Sequence, residues 1–259
     1  MHIQQYPIIP ALQPYVKLIC TMDCNEAVSL THLQVLPDAC VELFINYSSS
    51  PVAIINKNLH QRSIVSFRMS QATAVQMRKG AGCLAICFYP GMAYRFFNIP
   101  MQLLSNTTTL LADLWGTLAA QLEEKIALAN NNHLRSEIIQ QQLLHRLSLS
   151  THDPVIHYCL KQNQAGYSVP VSQWSTATGI SQRQLARKFQ QHLGLSPKEY
   201  LRVSRFIYSL QQLKNYPAST LTQIAYHSGY YDQAHFIRDY KAYTDHTPAQ
   251  VAKANHILF

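Results

Sequence analysis

Hydrophobic and polar positions change rhythm along this chain. From residue 6 to about 100, apolar residues come in short runs rich in β-branched and aromatic side chains. Examples are Val41-Glu42-Leu43-Phe44-Ile45, Val52-Ala53-Ile54-Ile55 and Cys83-Leu84-Ala85-Ile86-Cys87-Phe88. Turn residues separate them at Pro37-Asp38, Ser48-Ser49-Ser50-Pro51 and Pro90-Gly91. Runs of this length and spacing predict short antiparallel strands closed into a barrel or sandwich. From Leu110 to Leu147 the rhythm becomes helical, with Leu118, Leu122 and Ile126, then Leu134 and Ile138, each four apart. Asn130-Asn131-Asn132 marks the break between two helices. The polar stretch 148–154 reads as a short linker.

Beyond residue 170 the chain repeats itself. Trp174 and Gly179 recur as Ile224 and Gly229, fifty positions on; Ser181, Leu185, Arg187, Phe189 and Pro197 recur as Asp232, Phe236, Arg238, Tyr240 and Pro248, fifty-one on. The extra residue falls in a turn, where an insertion is tolerated. Each copy predicts helix, tight turn, helix, over about 171–193 and 221–243. Gly179 and Gly229 end the first helix of each copy, and Ser181 and Asp232 cap the second. Ser181 with Gln184, Thr220 with Gln223, Ser196 with Glu199 and Thr247 with Gln250 have the spacing of capping boxes. The last two also put Pro at the first helical position. A longer helix, from Pro197 to about Lys214, joins the units. On the second helix of each unit, Leu185 and Phe189, or Phe236 and Tyr240, share one face, and Arg187 or Arg238 lies opposite.

Charge gives that face a meaning. The chain has 259 residues and a formal net charge of +8 with only 13% charged residues. Residues 1–150 carry ten Lys/Arg against eight Asp/Glu, and residues 151–259 eleven against five. A basic C-terminal part with an Arg at the same place in both repeats is the footprint of a phosphate-rich duplex partner. No apolar run approaches the ~18 residues that cross a bilayer. No secretory leader is visible, so a cytoplasmic protein with reduced cysteines is expected. The pairs Cys20/Cys24 and Cys83/Cys87 share a spacing, but four residues along a strand span roughly 13 Å, too far for one zinc. They read as small core hydrophobes.

The C-terminal motifs resemble the AraC/XylS family of transcription regulators. The resemblance rests on Ile224-Ala225, Gly229-Tyr230, Asp232-Gln233-Ala234-His235-Phe236, Arg238, Tyr240-Lys241 and Thr247-Pro248. Gly194-Leu195-Ser196-Pro197-Lys198-Glu199-Tyr200-Leu201 and Arg205 extend it. It covers about residues 153–252 and implies a domain that inserts two recognition helices into adjacent major-groove segments. On the matching positions it implies DNA contacts by Gln182, Arg183, Ala186 and Arg187 in the first unit. In the second it implies Gln233, Ala234, His235, Ile237 and Arg238. Thr178, Thr244-Asp245 and Val251 depart from the family pattern, which usually has an apolar residue, Phe-Gly and Tyr there.

Pro37-Asp38-Ala39-Cys40-Val41-Glu42-Leu43, Phe88-Tyr89-Pro90-Gly91-Met92-Ala93, Phe96-Phe97, Ile99-Pro100 and Leu111–Gly116 resemble the sensor half of a subset of these regulators. That implies a cupin-like β-barrel with helices. The expected fold is thus α+β in two domains, a β-rich barrel with helices followed by an all-α double helix-turn-helix. Residues 1–147 would serve sensing or dimerisation, 148–154 linkage, and 155–259 DNA binding. Phe96, Phe97 and Trp115 read as packing rather than a ligand cage. The apolar positions of 118–147 suit either a homodimer contact or cover for the barrel. Implied partners are double-stranded DNA, RNA polymerase and a small-molecule effector with no binding residues assigned. The expected role is an effector-responsive activator, with no cofactor, no metal site and no catalysis. A metal-dependent enzyme would need clustered ligands, whereas His2, His32, His60, His133 and His145 are scattered. An alkyl-transfer repair enzyme would need an activated Cys, and none has a recognisable catalytic neighbourhood.

Overall fold

The computed structural model describes residues 1–24, 30–164, 169–253 and 257–258. The N-terminal strands are β1 (His2–Gln5), β2 (Val16–Asp23), β3 (Leu30–Val35), β4 (Val41–Asn46), β5 (Ala53–Ile55) and β6 (Asn58–His60). They continue with β7 (Ile64–Ser66), β8 (Thr73–Arg78), β9 (Gly82–Phe88) and β10 (Thr108–Leu110). A two-residue strand, β11 (Ile257–Leu258), returns from the C-terminus to pair with β3 in parallel. One sheet runs β1-β2-β9-β4-β7-β10 and the other β11-β3-β8-β5-β6, and every pairing apart from β11–β3 is antiparallel.

Alternation along β4 decides which side faces what. Val41, Leu43 and Ile45 are buried on one face, and Glu42 and Phe44 point to the other. The register pairs Leu43 with Ile86 and Ile45 with Leu84, so these residues form a continuous apolar surface. Helices α1 (Leu111–Trp115), α2 (Thr117–Leu128) and α3 (Asn132–Ser148) cover it through Ala119, Leu122, Ile126, Ile139 and Leu143. Trp115 stacks on Phe97 at 5.7 Å, and its indole donates to the Phe96 carbonyl at 3.1 Å. These aromatics are packing, as expected. Most apolar positions of α2 and α3 cover the six-stranded sheet, while Leu128 and Leu134 stay exposed.

Two boundaries differ from the expectation. Strand β1 precedes residue 6, and its four side chains are all exposed, so no buried alternation announces it. The helical stretch starts at Leu111, not Leu110, and Gly116 breaks it at φ +59°, giving three helices rather than two. Two 3-10 turns, Ala93–Arg95 and Met101–Leu103, link β9 to β10.

The C-terminal half holds α4 (Pro154–Gln164), α5 (Val171–Thr178), α6 (Gln182–Leu193), α7 (Pro197–Asn215), α8 (Leu221–His227), α9 (Gln233–Thr244) and α10 (Pro248–Val251). All four expected capping boxes form. The apolar core of this half takes in Leu36, Ala39 and Met92 from the other. The halves are further joined by Ser105 Oγ donating to Gly194 O at 3.3 Å, and Ala72 N donating to Tyr243 O at 3.2 Å. No described helix is long and apolar enough to cross a membrane.

Candidate nucleic-acid interface

Helix α6 is positioned from both ends. Gly179 takes the left-handed conformation at φ +68° and stops α5. Ser181 Oγ then accepts from Gln184 N, while Gln184 Oε1 accepts from Ser181 N. Leu185 and Phe189 are fully buried, and Trp174 stacks on Phe189 at 5.6 Å. That fixes the rotation of the helix, leaving Gln182, Arg183 and Arg187 exposed and Ala186 half-buried between them. Neither Arg183 nor Arg187 has a protein partner among the described residues.

Helix α9 repeats the construction. Asp232 Oδ1 accepts from His235 N at 2.6 Å, and Phe236 and Tyr240 are fully buried. Gln233, Ala234 and Arg238 are exposed, with Arg238 Nε donating to Ala234 O at 3.3 Å along its own helix. Ile237 and His235 are half-buried. The His235 ring sits edge-on to Tyr230 at 5.3 Å, with Nε2 3.9 Å from Asp239 Oδ2. The structure therefore brings together Gln182, Arg183 and Arg187 on one helix, and Gln233, Ala234 and Arg238 on the other. His235 keeps about a third of its side chain exposed at the edge of that face, 34% by area.

The departures from the family pattern are accommodated locally. Asp245 takes φ +60°, the left-handed conformation that Gly usually provides after a helix. Buried Thr244 satisfies its hydroxyl by donating to Tyr240 O at 2.7 Å and accepting from His246 N at 3.0 Å. Val251 is buried, and Thr178 Oγ1 donates to Trp174 O at 2.6 Å.

Sequence reasoning missed the groups that brace these helices. Asp239 is 1% exposed and accepts from Arg202 Nε of α7 at 2.8 Å. Burial lowers the Arg202 pKa, but the bond to Asp239 outweighs it and holds the pKa above the usual value. Arg205 lies over the Tyr230 ring at 4.8 Å and donates to Gly229 O at 3.3 Å. On α6, Lys188 is not free to meet a phosphate, because Nζ pairs with Asp153 Oδ2 at 2.5 Å. Asp153 also accepts from Val155 N and Ile156 N at the start of α4. Burial would raise its pKa; the bonds from Lys188 and Ile156 hold it below the ordinary value. No local spacing signals either ion pair, since the partners lie 37 and 35 residues apart.

A second feature lies between the sheets, where a cavity of about 500 Å³ is lined by Cys20, Glu42, Phe44 and Met77, with Lys17 at its rim. Ile207 and Gln211 of α7 complete the wall. None of the six cysteines forms a disulfide. Burial pushes the Cys20 thiol up to about 11 and Cys83 further, so both are neutral. Among the described residues, no group of three or more His, Cys, Asp or Glu could hold a metal ion.

Residues 174–254 match a family model described as a helix-turn-helix domain, and residues 4–109 match a domain family of unknown function, DUF6597. Over 121 residues, 47% of this chain, the sequence is 29% identical to an uncharacterized HTH-type transcriptional regulator of Haemophilus influenzae; the match spans 40% of that relative's length. ToxT from Vibrio cholerae is similar in structure, with a TM-score of 0.44, 14% identity, and coverage of 97% of this chain and 98% of that one. A ToxT structure with unsaturated fatty acid bound gives 0.44, 12%, 89% and 97%. The AraC-like activator CuxR gives 0.30, 12%, 81% and 86%. Residues 174–254 are thus a helix-turn-helix domain.

Proposed function

We propose that this chain is a cytoplasmic transcription regulator, an activator working with RNA polymerase, in which two helix-turn-helix units read one asymmetric duplex site. Helices α6 and α9 are its recognition helices, entering consecutive major-groove segments about one helical turn, roughly 34 Å, apart. One observation carries this reading. Arg187 and Arg238 are both exposed on the side opposite a fully buried pair, Leu185/Phe189 or Phe236/Tyr240, in two units with matched caps. Arg183 is matched by Ala234, and Ala186 by Ile237, so the two segments differ in sequence. Residues 155–259 bind DNA; residues 1–147, a cupin-like barrel with its helices, sense an effector or hold a homodimer together; residues 148–154 link the two. The cavity between the sheets suits an effector, because Ile207 and Gln211 belong to the helix that braces α9.

Binding-site selection on the full chain and on Arg187→Ala and Arg238→Ala tests the reading. Each variant loses preference in one segment only, at about 1–3 kcal/mol if the Arg contacts a base. A phosphate contact instead gives a uniform loss with a shallower salt dependence. If neither substitution changes affinity or preference, the recognition faces are misassigned.

A further inference from the structure

Glu42 lies on β4, an inner strand of the six-stranded sheet, directly opposite Cys87 of β9 and Ser66 of β7. Its side chain points away from the helical layer and into the cavity. The residue is half-buried, and burial pushes its carboxyl pKa up to about 7. Among the described residues no donor reaches the Glu42 carboxyl, whereas the nearby Asp38 carboxylate accepts from Cys40 N at 2.8 Å. A carboxyl that lines a cavity without a protein donor leaves its hydrogen-bonding capacity open to whatever occupies that cavity.

The remaining wall is mainly apolar, with Leu18, Met22, Phe44, Val75 and Met77 around it, and its volume lies within the range of small-molecule pockets. Three ordinarily charged groups face this space. Asp38 and Glu42 would carry negative charge, and among the described residues Lys17 is the single cation of the lining. The β2 strand has an irregularity between Val16 and Leu18, and Lys17 occupies it. It is exposed at the rim and makes no ion pair within 4 Å with either carboxylate among the described residues. The thiols of Cys20 and Cys83 on the same lining are held neutral by burial. An anionic guest would therefore bring its charge towards Glu42 and Asp38 in a poorly solvated space. A cationic guest would meet the unpaired acceptor there.

We infer that this cavity takes an amphiphilic organic cation, an apolar body bearing one protonated amino group that donates to the Glu42 carboxylate. The inference rests on the reading of this cavity as the effector site, and it narrows that effector to amines. Guest and α7 share a wall through Ile207 and Gln211, so a bulky apolar body would touch the DNA-binding half directly.

A matched trio on the full chain tests this: tryptamine, tryptophol and indole-3-propionate share one ring and a two-carbon arm, and end in an ammonium, a hydroxyl and a carboxylate. Isothermal titration at pH 8, above the raised Glu42 pKa of about 7, is expected to show tryptamine binding at least tenfold more tightly than the other two. In Glu42→Gln, tryptamine should fall to the level of tryptophol without any loss in Tm. Equal or tighter binding of the alcohol or the acid overturns the inference. So does an absence of tryptamine binding at millimolar concentration, or a preference for the amine that survives Glu42→Gln. DNA affinity of the unliganded chain is measured separately. Its failure alongside an intact amine preference would strike the regulatory reading and leave the ligand class standing.

Discussion

Replacing Glu42 by Gln should make the protein more stable, and by an amount that depends on pH. Burial, reinforced by the nearby Asp38 and opposed by Lys17, pushes the Glu42 carboxyl from 4.5 up to about 7. At each pH between those values the folded chain holds a proton here that the unfolded chain has lost. Stability is therefore shed as pH rises from about 4.5 to about 7, and the loss is complete above that window. At about 1.4 kcal/mol per unit, the shift corresponds to an upper limit of about 3 kcal/mol of destabilisation at pH 8 and nearly nothing at pH 4. Gln is nearly isosteric and does not titrate, so the variant should gain up to that amount at pH 8 and match the wild type at pH 4. The two tryptophans fall one in each half, Trp115 in the core under the six-stranded sheet and Trp174 in the helical half. Urea unfolding in a Trp174→Phe background, followed by Trp115 fluorescence, would isolate the β-rich half. Burial lowers the pKa values of His60, His157 and His192. They are common to both proteins and cancel in the difference. A difference that stays flat from pH 4 to 8, or grows against the variant at high pH, would refute the electrostatic account of Glu42.

Two glycines with the same backbone conformation should respond differently to Ala. Gly179 has nothing near its missing Cβ and should lose only the left-handed preference, about 1 kcal/mol; Gly194 would drive a methyl into Ser105 Oγ and crowd Met101 O, so its Tm should fall further and protease should cut 149–153 faster. Equal losses would show that the halves are not pressed together there. Ser196→Ala, which opens the capping box of α7, should cost about 1 kcal/mol in denaturant unfolding, and an unchanged midpoint would refute that role. Asp153→Asn should leave the wild type ahead at neutral pH. That advantage is full above the ordinary carboxylate value of 3.8 and fades as pH falls through the depressed folded value, so a pH-independent gap would exclude the pairing with Lys188.

What the sequence determined by itself is the helical half, residue by residue. Caps, left-handed stops and core pairs each act between residues three or four apart, so Ser181 with Gln184, or Phe236 with Tyr240, carries its instruction wherever the chain goes. The fifty-residue repeat then shows the same exposed Arg twice. Even the odd Thr244-Asp245 is solved locally, by a hydroxyl and a left-handed Asp. Tertiary structure alone decided what depends on distant partners. β4 joins β9 some forty residues later, and only that register turns Glu42 into the unpaired acceptor of a cavity. It also tied Lys188 to Asp153 and Arg202 to Asp239. Each of these partners becomes a neighbour only once the packing has closed, so a pattern read over a few residues cannot contain it.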